Sequence, residues 1–313
     1  MTSKSRRHFL TLMGATALAG CASPSLVTRD GNDPFEGGIG GTGIVGVVTG
    51  FGSILINGLK VELTSQTVFE NALGALGAED LHAGHSVTIN ARRTADGIIA
   101  DRVTQDLLLV GLLHHGQAGL SVNGIPVTRE PGGHGQGQIG HRVAVSGAWT
   151  ATGVLASRID PAPHGPDIIS GTANREPHVL TVGQTVIEAR QPRADLDGSF
   201  VVALGVMKDG AFAAEQVAEG RFNKMPSLRQ LSVDGFLEPS ETAPGFRVAG
   251  LGHNFARDTR LAAIGPRRAL YFGKYDGLFG ANRGYLMPSN FETRRQLLNP
   301  GLETSGAELL VRI

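Results

Sequence analysis

The chain is poor in cysteine, in aromatic residues and in uninterrupted apolar sequence. Cys21 is its single cysteine. No pair exists to form a disulfide, so burial and hydrogen bonding alone must hold the fold. Phe, Trp and Tyr make up 5% of 313 residues, with one tryptophan. Beyond residue 20 no apolar run approaches the roughly 20 residues that a membrane-spanning helix needs. Neither charge is in surplus, with 28 basic and 28 acidic residues. Without Lys4, Arg6 and Arg7 the remainder carries 25 against 28, a net of −3. That excludes a general attraction to nucleic acid or to an anionic membrane surface. Two catalytic signatures are also absent from the sequence: the G-x-S-x-G elbow of a hydrolase nucleophile and the H-E-x-x-H zinc helix.

What is present begins at the N-terminus. Lys4, Arg6 and Arg7 form a positive segment, and Phe9 to Ala19 a short apolar one, too short to span a bilayer as a helix. The stretch Ser5-Arg6-Arg7-His8-Phe9-Leu10 resembles a twin-arginine export signal. Leu18-Ala19-Gly20-Cys21 resembles a lipobox, in which the cysteine is alkylated by a diacylglycerol and the peptide is cut just before it. These resemblances imply a signal peptide over residues 1–20 and a lipid anchor on Cys21. Ala22 follows the cysteine, where an aspartate would signal inner-membrane retention. The expected location is therefore the periplasmic face of the outer membrane. Residues 21–42, rich in Gly, Pro, Ser and Asp, are expected to be a flexible tether with an average reach of about 25 Å.

Glycine accounts for 45 residues, about twice its usual share. With many Val, Ile and Thr, this points to short strands and frequent turns. The strands recur in a repeat. Gly84, Gly140 and Gly198 stand in similar polar turns, 56 and 58 residues apart, and Val103, Ile159 and Val217 keep the same intervals. Ahead of the turns, Ile54-Leu55-Ile56-Asn57-Gly58-Leu59 parallels Leu120-Ser121-Val122-Asn123-Gly124-Ile125, with a looser third copy at Val179 to Val186. Asn-Gly between alternating apolar residues is a strong hairpin signal, because a type I′ turn needs positive φ at both central positions. Each copy opens with a strand around Gly46, Gly111 or Gly171.

Five strands in roughly 57 residues suit a small closed barrel, since closure removes exposed strand edges. The expected fold class is all-β: tandem OB-like barrels over 43–107, 108–165 and 166–223, then a divergent β-rich segment over 224–313. A small open sandwich is the second choice. The pattern G-x-V, V-N-G, L-x-x-G-x-x-V-x-V and G-x-x-A-x-x-V resembles an uncharacterised bacterial domain family found as tandem OB-like repeats in exported proteins and lipoproteins. The likeness spans about residues 43 to 222 and is best in the first copy. It implies a barrel repeat and export, and no reaction.

The last third differs in composition. Residues 226–313 hold nine of the seventeen aromatic residues and eleven Lys/Arg against eight Asp/Glu. Val233 to Leu237 could open a fourth, degenerate unit. Ser289-Asn290-Phe291-Glu292 has capping-box spacing, which predicts a short helix through Leu298. Tyr271, Tyr275 and Arg283 are candidates for a partner-binding face, because rings stack on sugars and arginine pairs with anions. The bland alternative makes the rings core and the arginines solvated.

Other constellations are weaker. Gly38-Ile39-Gly40-Gly41-Thr42-Gly43 has dinucleotide-loop spacing, but a tether precedes it and a strand follows it, where that loop needs a strand and then a helix. His82 and His85 share one turn and His141 occupies the repeat position equivalent to His85, which makes them a candidate metal set. Asp80, Asp96, Asp101 and Asp106 cluster in sequence, but strands and turns would scatter them. No cofactor is expected. The function expected from these residues is non-enzymatic: a lipid-anchored binding or scaffolding module for a protein or glycan partner. Two alternatives stand beside it, an envelope enzyme centred on Tyr271, Tyr275 and Arg283, and a metal-binding protein using the three histidines.

Overall fold

The computed structural model describes residues 41–95, 97–176, 179–189, 194–222, 227–239, 246–252 and 267–299. Cys21, Arg6, Arg7 and the tether before Gly41 lie outside them. The architecture is all-β, with short closed barrels repeated along the chain, as the repeat predicts.

The first barrel is built from β1 (Gly41–Gly50), β2 (Ile54–Ile56), β3 (Leu59–Glu62), β6 (Ser86–Thr94) and β7 (Gly97–Gln105). β1 pairs antiparallel with β2, β2 with β3, β3 runs parallel to β7, β7 returns against β6, and β6 closes on β1. A small hairpin, β4 (Val68–Asn71) and β5 (Gly74–Ala75), extends the edge of β7.

The second barrel repeats this order with β8 (Leu109–Gly116), β9 (Gly119–Val122), β10 (Ile125–His134), β11 (Arg142–Thr150) and β12 (Gly153–Pro161). The third does so with β13 (Asp167–Glu176), β14 (Val179–Val182), β15 (Thr185–Ala189), β16 (Phe200–Lys208) and β17 (Ala211–Glu219). In each, one parallel pair between the third and fifth strands closes the ring.

The C-terminal segment follows the same plan. β18 (Leu228–Pro239) pairs with β19 (Phe246–Val248) and with β20 (Arg268–Tyr275), and β20 with β21 (Phe279–Leu286). These are the first, second, fourth and fifth strands of the repeat. Register supports the equivalence. Val48 faces Ile56, Leu113 faces Val122, Ala173 faces Val182 and Leu237 faces Val248. Two residues before these first-strand positions stand Gly46, Gly111, Gly171 and Gly235.

Gly46 and Gly111 have a shared physical cause. Asn57 and Asn123 adopt φ of 54° and 52°, and the glycines after them are also positive, as type I′ turns require. Both asparagines are buried. Asn57 Nδ2 donates to Val45 O and to Ser232 Oγ, both at 3.0 Å. Asn123 Nδ2 donates to Val110 O at 2.8 Å and Ile168 O at 3.1 Å. Each amide therefore ties its own first strand to the first strand of another unit. A Cβ on Gly46 or Gly111 would overlap the asparagine side chain, so glycine leaves the space that the amide fills.

The units pair in a nested order. β1 runs parallel to β18, from Gly41 beside Leu228 to Val45 beside Val233, joining the first unit to the last. β8 runs antiparallel to β13 at Val110–Ile168 and Leu109–Ile169, joining the middle two. The second and third barrels share one apolar core. The first barrel's core takes in Phe272, Tyr285, Met287 and Leu298 from the C-terminal segment.

The one α-helix among the described residues, α1 (Phe291–Leu298), ends where expected, but its N-cap is Asn290, whose side chain accepts from Thr293 N at 3.0 Å. The cap thus falls one residue after Ser289, and Glu292 does not close a box with it. No described helix is long and apolar enough to cross a membrane.

Candidate functional site

The site begins with the single tryptophan. Trp149 lies near the end of β11 and its Nε1 donates to Ser170 O of the third barrel at 2.9 Å. The third unit has Gly183 where the first two have asparagine, and the indole occupies that neighbourhood. A Cβ on Gly171 would stand 2.9 Å from the ring, and one on Gly183 3.0 Å. Gly250, after β19, would also collide with it. Glycines from two other units therefore seat the ring, which is buried.

Beside the indole opens a groove of about 240 Å³ formed by the second, third and fourth units. Its apolar side is Trp149, Ile125 and Pro126; its polar side includes Thr150, Thr152, Thr172, Asn174 and Gln184, with Glu238 and Arg247. Arg247 Nε donates to Glu238 Oε1 at 2.6 Å, and its Nη2 donates to Asn174 Oδ1 at 2.8 Å. Thr172 is 6% exposed, and its Oγ1 makes no hydrogen bond within the described structure. A buried hydroxyl without a partner is uncommon; Thr172 borders the groove, but this oxygen is closed to solvent.

Two buried clusters elsewhere pair their charges. Glu130 of β10 accepts from Arg268 Nη1 at 3.0 Å and from Arg294 Nη2 at 3.0 Å, with a second, close contact from Arg294 Nη1. Arg268 also makes a two-pronged pair with Asp234, at 2.8 and 2.7 Å. Burial disfavours the Arg268 charge, but Asp234 and Glu130 outweigh it and raise its pKa. Arg294 shares Glu130 but lies near the Arg268 charge; burial and that repulsion lower its pKa. Burial raises the Asp234 carboxyl, yet Arg268 and Arg294 prevail and hold it below the usual range.

A second buried pair joins Asp106 to Arg221 at 3.0 Å, with Thr88 Oγ1 donating to Asp106 at 2.8 Å. Here burial dominates and raises the Asp106 carboxyl despite both partners. The Arg221 guanidinium also lies 4.1 Å above the Phe200 ring.

The candidate face at Tyr271, Tyr275 and Arg283 is not assembled. Tyr271 is 0% exposed within the apolar core of the C-terminal unit, against which Tyr275 also packs. Arg283 pairs across the strands with Phe272, so it lies on the opposite face of the sheet from Tyr271. The rings complete a core, as the bland reading has it, but its solvated arginines do not hold throughout, since Arg268 and Arg294 are buried; burial raises both tyrosine hydroxyls' pKa.

The three histidines likewise form no metal set. Both ring nitrogens of His85 are engaged: Nδ1 accepts from His82 N at 3.1 Å, and Nε2 meets Asp160 Oδ2 at 2.9 Å. His82 stands edge-on to it at 5.6 Å, while His141 is exposed in a turn of the second barrel. Among the described residues no group of three His, Cys, Asp or Glu is placed to hold a metal. The acidic residues scatter as expected: Asp80 accepts from Gly77 N, Asp101 pairs with exposed Arg92, and Asp106 is buried. Asp96 lies outside the described residues.

Sequence reasoning missed the groove because three units supply it. Its one legible trace was the loss of asparagine at Gly183. Residues 42–104 match a domain of unknown function, DUF5666. The match runs from β1 into β7, the extent of the first barrel. No curated protein and no solved structure matches the chain.

Proposed function

We propose that the chain is a non-enzymatic binding module of the cell envelope, exported through its Arg6-Arg7 signal, anchored by lipid on Cys21, and taking a small polar part of a protein or glycan partner into the Trp149 groove. The groove carries this reading. It is concave and lined by both apolar and polar groups, as ligand sites are. Its two charged residues, Arg247 and Glu238, neutralise one another. OB-like barrels in tandem fit the same role, since such barrels bind oligosaccharides and other polymers.

The test has two arms, both on the full chain in its own envelope. Fatty-acid labelling should mark the wild-type protein and vanish in Cys21→Ser; labelling that survives the change removes the anchor. A photo-reactive side chain at Thr152 or Gln184, on the groove rim, should yield an adduct that one at Lys208 does not. Equal adducts at both places, or none at the rim, would remove the groove.

A further inference from the structure

We infer that the groove takes a single neutral, hydroxyl-rich ring, the terminal sugar of a glycan. This rests on the groove being the binding site and specifies its ligand. At about 240 Å³ it falls below the roughly 300–1,000 Å³ of sites for drug-sized ligands, so it suits one ring and not a run of residues.

Charge chooses next. Arg247 is held between Glu238 and Asn174. An anionic ligand would have to displace a carboxylate 2.6 Å from that guanidinium, and a cationic ligand would meet the guanidinium itself. A neutral ligand meets neither obstacle.

Hydrogen-bonding capacity points the same way. Threonine hydroxyls and carboxamides each donate and accept, which matches ring hydroxyls that do both. Thr150, Thr152 and Gln184 supply such groups on the lining. The indole and Pro126 give an apolar wall for the ring's C–H face.

Trp149, the only tryptophan, reports on this site directly. The full chain in detergent is titrated with glucose, galactose and N-acetylglucosamine, and with glucuronate, glucosamine and inorganic phosphate as charged probes, while tryptophan emission is followed. At least one neutral sugar should give a saturable change, with the charged probes weaker. Gln184→Leu should weaken that sugar about five- to tenfold, the worth of one hydrogen bond. Gln184 is exposed in a turn, so its replacement does not threaten the fold, and an unchanged melting temperature verifies this. No saturable response to any neutral sugar, equal binding of a charged probe, or full affinity in Gln184→Leu overturns the inference. Rim adducts without a sugar response reject the sugar and leave a protein-binding groove; absence of both rejects the groove itself.

Discussion

Asn57 occupies the space that Gly46 leaves open: a Cβ on Gly46 would stand 3.0 Å from Cγ of Asn57 and overlap its amide oxygen. The two positions are therefore one device. Gly46→Ala should cost about 1–3 kcal/mol by overpacking. Asn57→Gly, which keeps the positive φ, should cost a similar amount by stranding buried partners, about 1–3 kcal/mol. The double variant should cost less than both together, because the new methyl enters vacated space. Urea unfolding of the four proteins measures this; additivity within about 0.5 kcal/mol would show the sites to be independent.

Among the described residues Glu130 is the one carboxylate that touches both Arg268 and Arg294. Glu130→Gln leaves two buried guanidinium groups with Asp234 as the remaining carboxylate. A loss of about 3–5 kcal/mol is expected, the range for breaking a buried ion pair. A thermal or urea melt that moves by less than about 1 kcal/mol would mean that the network is not holding the second and fourth units together.

Removing residues 224–313 tests the nested pairing. The barrels repeat in sequence, but the first does not close its contacts without the last. Truncation takes away the parallel partner of β1, the Ser232 acceptor of Asn57 and both arginines of Glu130. The remainder should aggregate or be rapidly degraded by protease, with its first barrel cut earliest, since β1 would present an unpaired edge. A truncated protein that melts cooperatively at the wild-type temperature contradicts this.

Asp160 sets a pH dependence at the joint between the first two barrels. Burial raises its carboxyl, but hydrogen bonds from His85 and Arg158, with their charges, outweigh this and lower its pKa below 3.8. A depressed folded-state pKa means that the stabilisation is complete above the unfolded value and is lost as pH falls through the folded one. Wild-type stability should therefore decline below about pH 4, and Asp160→Asn should show a shallower decline over that range. Identical slopes in acid melts would remove Asp160 as a source of acid sensitivity.

Local features were readable from sequence because they are caused locally. The Asn57-Gly58 and Asn123-Gly124 turns follow from two residues each, and the strand count follows from period and turn spacing. The end of α1 was legible at Asn299, whereas its start slipped by one because Ser289 and Asn290 can both cap. The fourth unit was only a hint at Val233: its turn reads Ala249-Gly250 in place of Asn-Gly, and its identity emerges from register at Leu237 and Val248. Nothing local foretells that β1 pairs with β18 across nearly two hundred residues. Tyr271 misled for a related reason, since composition gives the presence of a ring and only topology says which face it takes.

The parallel alignment of β1 with β18 also sets an orientation. Gly41, where the N-terminal segment enters the fold, lies against Leu228. Glu238, on the wall of the groove, is ten residues further along the same strand, about 33 Å if extended. The entry of the chain at Gly41 and the groove wall at Glu238 thus lie at opposite ends of one β-strand. A ligand in the groove would therefore meet the fold at the end of β18 away from the one where the chain enters it.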